Sequence, residues 1–311
     1  MTAIEELESE IEETVTLLDA ARERAATSPS AELTAASLEA RLRELERQLH
    51  QEKARRGKEI LELRFSGEIA DLGSLPLELL GNITKDIAHA LGHAARHRKF
   101  GTQGRLLKSV TEELDLRLEG IGGGSTRLYI SGETAPDLFG NSLIESTLYD
   151  TFQFLQHTDE EDQLPESVSH VGEKAADALR SFFQAVGDAN LTTEITWETP
   201  KTEEIVWSVS AEGARRLATS LSRLVSDGPE ELKLVGQVVT VSSKRPLEIR
   251  DAKGNDYQIR VPSIYRDFVK NLVVDQWIAA VVEKRSVRNE ATGKARATYI
   301  LQSRPIVIER P

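Results

Sequence analysis

The stretch LVGQVVTVSSKRPLEIRDAKGNDYQIRV, residues 234–261, reads as three consecutive strands. Apolar residues dominate 234–241, then Leu247 and Ile249 alternate with Glu248 and Arg250, KGN at 253–255 supplies a turn, and Tyr257, Ile259 and Val261 alternate again. A short helix from Ser263 follows, with Ile264, Phe268 and Leu272 on one face. Two more strands close the segment, DQWIAAVVEKRSV at 275–287 and ARATYILQ at 295–302, joined by RNEATGK. The segment predicts a small β-barrel over 232–311.

Three strands, a helix, then two strands is the order of an OB-like barrel, and an SH3-like barrel is the alternative, disfavoured by the helix before the fourth strand. The likeness is to a topology and rests on no specific motif. SDGPEE at 226–231 marks the boundary upstream, with a linker over 227–231. The composition changes there. Residues 234–311 carry 14 Lys+Arg against 8 Asp+Glu, leaving 25 against 43 for the rest of a chain whose net charge is −12.

Upstream, residues 59–226 alternate between strand and helix periods. Leu61, Leu63 and Phe65 mark a leading strand, and 75–99 a helix with Leu80, Ile83, Ile87, Leu91 and Ala94 on one face. Leu114, Leu116 and Leu118 predict a second strand, GIGGGST at 120–126 its turn, and Leu128 with Ile130 the return. Helices over 138–156 and 166–187 follow, the second carrying Val168, Val171, Ala175, Leu179, Phe182 and Val186 as an unbroken stripe. A hairpin of Leu191–Trp197 with Ile205–Val209 and a helix over 211–225 close the segment. This pattern is helix–strand–strand–helix twice over, a possible duplication, and its hairpins predict an antiparallel α+β domain.

Residues 1–58 read as a helical hairpin or coiled coil. Ile4, Leu7, Ile11, Val15 and Leu18 recur at three and four residues, as do Leu38, Leu42, Leu45 and Leu49, and Ser28–Pro29 start the second helix. Two or three heptads are marginal alone, so Ile4, Leu7, Ile11, Leu18, Leu38, Leu42, Leu45 and Leu49 are expected to meet a partner chain, a second copy or the body of the protein. The fold class is thus α+β and multidomain.

No cysteine is present, which excludes disulfides and thiolate chemistry, and no apolar run approaches the roughly 20 residues a bilayer span needs. The acidic start MTAIEELESEIEE is no secretory signal, so the expectation is a cytoplasmic protein that does not enter a membrane.

Two basic regions stand out. Lys244, Arg245, Lys284, Arg285, Arg288, Lys294 and Arg296 fall at loops and strand ends of the barrel, with Tyr257, Trp277 and Tyr299 in its strands, the ingredients of a single-strand-binding groove. RHRKFGTQGRLLK at 96–108 adds Arg98, Lys99 and Arg105 at a helix end, where cations also offset the helix dipole. His89, His93 and His97 share one side of the 75–99 helix, and His89 with His93 has the i, i+4 spacing of a zinc pair, but His89 and His97 lie about 12 Å apart. The glycines at 122–124 join two strands and so lack the strand-to-helix context of a phosphate loop. DEED at 159–162 lacks calcium-loop spacing and reads as a solvated linker. No nucleophile or kinase signature appears, and no cofactor is implied. The first functional expectation is a non-enzymatic assembly or adaptor protein. The alternative is nucleic-acid binding through the basic barrel.

Overall fold

The computed structural model describes all residues except 1–2, 26–28, 56–57, 71–73, 102–103, 123–125, 134–141, 159, 199–203, 242–245 and 310–311. The chain forms two compact units, each assembled from separated segments: 1–80, 115–145 and 186–211 in the first, 81–114, 146–185 and 212–311 in the second. It is a mixed α+β chain with a closed five-stranded barrel in its C-terminal region.

The first unit begins with a helical hairpin, α1 (Ala3–Ala25) and α2 (Pro29–Arg55). Leu18, Ala21, Ala35 and Leu42 form its core, with Ile11, Val15 and Leu38 packed around them. The two seams read in the sequence thus face each other inside one chain. Ser28, the expected cap, lies outside the described residues. Below the hairpin is an antiparallel sheet in the order β2 (Arg117–Gly122), β3 (Thr126–Glu133), β1 (Lys58–Ser66), β4 (Thr192–Glu198), β5 (Ile205–Val209). Register pairs Leu63 with Leu128 and Ile195, and Leu61 with Ile130 and Trp197, so those residues make one apolar face. Trp197 Nε1 donates to buried Glu59 on the same face at 2.8 Å. The opposite face carries Glu62, Arg64, Arg127, Tyr129 and Glu194. Helix α2 packs on β1 and β4, and its Leu45, Glu46 and Leu49 are buried.

The second unit contains α3 (Leu77–Phe100) from Gly81 onward, α4 (Lys108–Leu114), α5 (Leu143–Gln156) from Ser146, α6 (Leu164–Val171), α7 (Glu173–Asp188) as far as Ala185, and α8 (Ala211–Ser222) from Glu212. Three boundaries differ from the sequence reading. Leu114 ends a helix instead of opening a strand: Leu107, Val110 and Leu114 keep helical spacing, Asp115 turns the chain at φ 40°, and Leu118 ends up 52 % exposed. The single helix expected over 166–187 is two, broken at Gly172, whose φ of 89° favours glycine and whose N–H caps Val168 O at 2.8 Å. The apolar stripe keeps its period across the break, so periodicity alone does not mark it. The helix expected over 211–225 stops at Ser222, and β6 (Leu224–Ser226) pairs with a barrel strand instead.

The barrel strands are β7 (Glu230–Thr240), β8 (Leu247–Asp251), β9 (Asp256–Arg260), β10 (Trp277–Asn289) and β11 (Ala295–Leu301), with α9 (Arg266–Val269) between β9 and β10. Antiparallel pairing runs β9–β8–β7–β10–β11, and β11 closes the ring by lying parallel to β9 at Tyr299–Ile259. Alternate residues Leu247 and Ile249, Ile278, Ala280 and Val282 point inward onto Val238, Ile259, Val269 and Leu301. A two-residue β12 (Ile306–Val307), beyond the expected strands, pairs antiparallel with β10 at Ile278 and Ala279.

Candidate functional site

The residues expected to meet phosphates are on the barrel, and most of them already have acidic partners. Lys284 Nζ lies 3.4 Å from Glu230, and Arg285 contacts Glu283 closely and Glu173 of α7 at 3.8 Å. Lys294 contacts Asp162, inside the DEED segment, and Arg296 reaches Glu166 of α6 at 3.3 Å. The acidic segment read as a solvated linker therefore supplies a counterion to the barrel, and Glu161 O accepts a bond from Asn289 of β10 at 3.4 Å. Arg288 remains exposed at a strand position opposite Val225. Lys244 and Arg245 lie outside the described residues. Such exposed pairs contribute little stability, but each one lowers the free positive charge a polyanion would meet.

The aromatics are divided between core and surface. Tyr257 and Tyr299 stack edge to face at 5.4 Å and pack against the barrel core, while Trp277 is half-buried at the start of β10. They do not form an open row of stacking faces.

At the end of α3, Lys99 contacts Glu113, Arg96 donates to the carbonyl of Arg105, and the Arg105 side chain is exposed. Arg98 turns inward. Its Nη1 donates to both carboxylate oxygens of Asp150 at 2.9 Å, and Arg260 of β9 donates to Asp150 Oδ2 at 3.2 Å and to Ser169 O at 2.7 Å. Asp150 is 6 % exposed, so one buried carboxylate joins α3, α5 and the barrel. Burial holds the Arg260 guanidinium down at about 10, with Asp150 opposing that shift. His97 is buried beside this triad, 3.1 Å from Ser169 O, and burial together with the Arg260 charge keeps it neutral far below the usual histidine range. Of the three helix histidines, His97 is therefore a core residue and not a ligand. His89 and His93 meet edge to face at 6.3 Å, and burial followed by the charges of Lys174, His89 and Arg96 lowers His93. Among the described residues no third group joins them in a cluster that could hold a metal ion.

A second polar cluster lies in the first unit, under α2. Arg127 of β3 forms a close ion pair with Glu46 and its Nε is 3.6 Å from Glu62 Oε1. Side-chain exposures of Arg127, Glu46 and Glu62 are 9 %, 6 % and 17 %. Burial raises Glu46 to about 7 and raises Glu62, the Arg127 charge opposing both, and Tyr129 beside them is raised chiefly by burial. Glu46 was not singled out in the sequence because it reads as one more acid on a charged helix flank. Its signal was position, between Leu45 and Leu49 on the buried side of α2.

Of the expected assembly residues, Leu18, Leu42, Leu45 and Leu49 are buried within their own chain, and Ile11 and Leu38 pack around the hairpin core. Leu7 is half-buried, and Ile4 lies in the first turn of α1. Among the described residues, the large apolar side chains the hairpin leaves open are Leu17, 52 % exposed, and Leu33, 76 % exposed. No helix among the described residues is long and apolar enough to cross a membrane. Compared with protein-family models, with curated proteins and with solved structures, the chain finds no match.

Proposed function

We propose that this chain is a non-enzymatic cytoplasmic assembly or adaptor protein that binds proteins and not nucleic acid. The observation that carries this reading is the pairing of barrel cations with acids of the same unit: Lys284, Arg285, Lys294 and Arg296 each face a carboxylate. A groove built for a phosphate backbone keeps such cations free, because each neutralised phosphate releases counterions and drives binding. Here that positive charge is taken up internally.

The barrel is OB-like in this proposal. Three strands, a helix and two strands, with the fifth strand parallel to the third, support that type over an SH3-like one. The hairpin acts as an assembly arm, a short coiled-coil surface for a second copy of the chain. Leu17 and Leu33 are its contact residues, since the original seam is filled internally. Burying two leucines contributes about 3 kcal/mol or more, close to a hundredfold in dissociation constant. Light scattering on the eluting full chain over a concentration series checks this. The wild type should run as an oligomer, and the Leu17→Asp, Leu33→Asp double variant as a monomer with an unchanged helical spectrum. A wild type that stays monomeric at its highest soluble concentration contradicts the assembly arm.

A further inference from the structure

Helix α2 rests on the polar face of a sheet, an arrangement that needs its buried charges matched. They are not matched one to one. Two carboxylates with little exposure, Glu46 from α2 and Glu62 from β1, share a single buried guanidinium, that of Arg127. The surrounding groups do not restore the balance. Arg43 lies on α2 itself, Arg64 on β1 faces Glu194 on β4 at 3.6 Å, Glu204 approaches from the connection into β5, and Tyr129 on β3 is held neutral. Of these, Arg43 and Glu204 are exposed and Arg64 faces Glu194, so with both ionised Glu46 and Glu62 stand against Arg127 as the buried cation beside them.

The arm above this cluster has its own core. Leu18, Ala21, Ala35 and Leu42 pack between α1 and α2, apart from the Leu45–Leu49 stretch that sits on the sheet. The hairpin can therefore stay folded while its base loosens.

We propose that a proton shared by Glu46 and Glu62 latches the helical arm onto the sheet, and that losing this proton releases the base of α2. With the proton bound, one neutral and one ionised carboxyl flank Arg127 and the docked state is balanced. Without it, two buried anions compete for one cation, and desolvation favours moving Glu46 into water.

The direction of the pH effect follows from the linkage. The docked state raises Glu46 from 4.5 to about 7, so docking binds protons. Its stabilising effect is fully present below 4.5 and is lost as pH rises through about 7. Between pH 6 and 8 the docking equilibrium should weaken by about tenfold.

Hydrogen exchange of the full chain at pH 6 and pH 8, corrected for intrinsic rates, tests this on peptides covering 40–55, with barrel peptides from 247–260 as the internal reference. Wild-type protection of 40–55 should drop about tenfold relative to the barrel. Glu46→Gln, which copies the protonated side chain, should keep the low-pH protection at both values. Glu62→Gln leaves Glu46 and Arg127 matched and should also flatten the dependence, and it serves if Glu46→Gln does not fold. Protection of 40–55 that is equal at both pH values in the wild type overturns the latch. So does a pH dependence that survives unchanged in a folded Gln variant.

Discussion

Asp150→Ala should destabilise the protein by about 3–5 kcal/mol, the largest single effect expected of any surface-to-core charge in the chain. The carboxylate accepts three of the hydrogen bonds that hold Arg98 and Arg260, and both guanidiniums sit in a region where side-chain exposure is 23 % and 18 %. Removing it leaves two poorly solvated cations facing each other. The cost is that of unpaired charge and exceeds the net value of the triad, so an apolar replacement of all three groups would recover much of it. Denaturant unfolding measures the effect, with Lys294→Ala as the contrast. That pair is 57 % exposed on both sides, and its loss should cost no more than about 1 kcal/mol. Equal effects for the two variants would mean that the triad does not join the barrel to its helices.

Gly101→Ala should cost about 2–5 kcal/mol by a different route. Gly101 follows α3 with φ 67°, in the left-handed region, which already penalises any side chain by about 1–2 kcal/mol. A Cβ there would collide with Ile300 Cγ2 and stand 2.6 Å from Pro262 Cγ, both in or beside barrel strands. Neither atom is the end of a flexible chain, so β11 or the β9–α9 corner must shift, adding about 1–3 kcal/mol of overpacking. The helix end is pressed onto the barrel closely enough that only glycine fits. Loss of stability with both Asp150→Ala and Gly101→Ala, and one cooperative unfolding transition for the second unit, is the expected pattern. A barrel that melts separately in either variant would show the two parts to be independent.

How legible was this in the sequence? The barrel was, because its strands β8 and β10 alternate and Gly254 and Gly293 fall in turns: Leu247, Ile249, Ile278, Ala280 and Val282 all point inward as the period of two requires. The hairpin seams were equally visible, although the sequence could not say that they would close on each other. Boundaries failed where two periods agree locally. Leu114 fits a helix with Val110 and a strand with Leu116, and the choice fell to the Asp115 turn that no propensity specifies. The polar clusters were out of reach for another reason. Asp150 meets partners 52 and 110 positions away, and Arg127 meets Glu46 at a separation of 81. Each residue looks like an ordinary surface charge until the fold brings them together. A trace was present even so. Asp150 sits between Leu148 and Phe152 on a helix whose apolar face is buried, a place where a lone acid needs a cation. The pairing of the basic barrel was equally out of reach, because composition counts charges and not pairs. The +6 of residues 234–311 is real, but Asp162, Glu166 and Glu173 upstream absorb much of it.

The proposed function requires that the barrel cations, paired with acids of their own unit, do not hold a nucleic acid. Fluorescence anisotropy of labelled ssDNA, dsDNA and RNA against the full chain, at about 50 and 200 mM salt, tests it most directly. The account predicts no saturable binding even at the lower salt. Binding that weakens by an order of magnitude or more at the higher salt, and that is lost when Arg288 and Lys294 are reversed in charge, would contradict it.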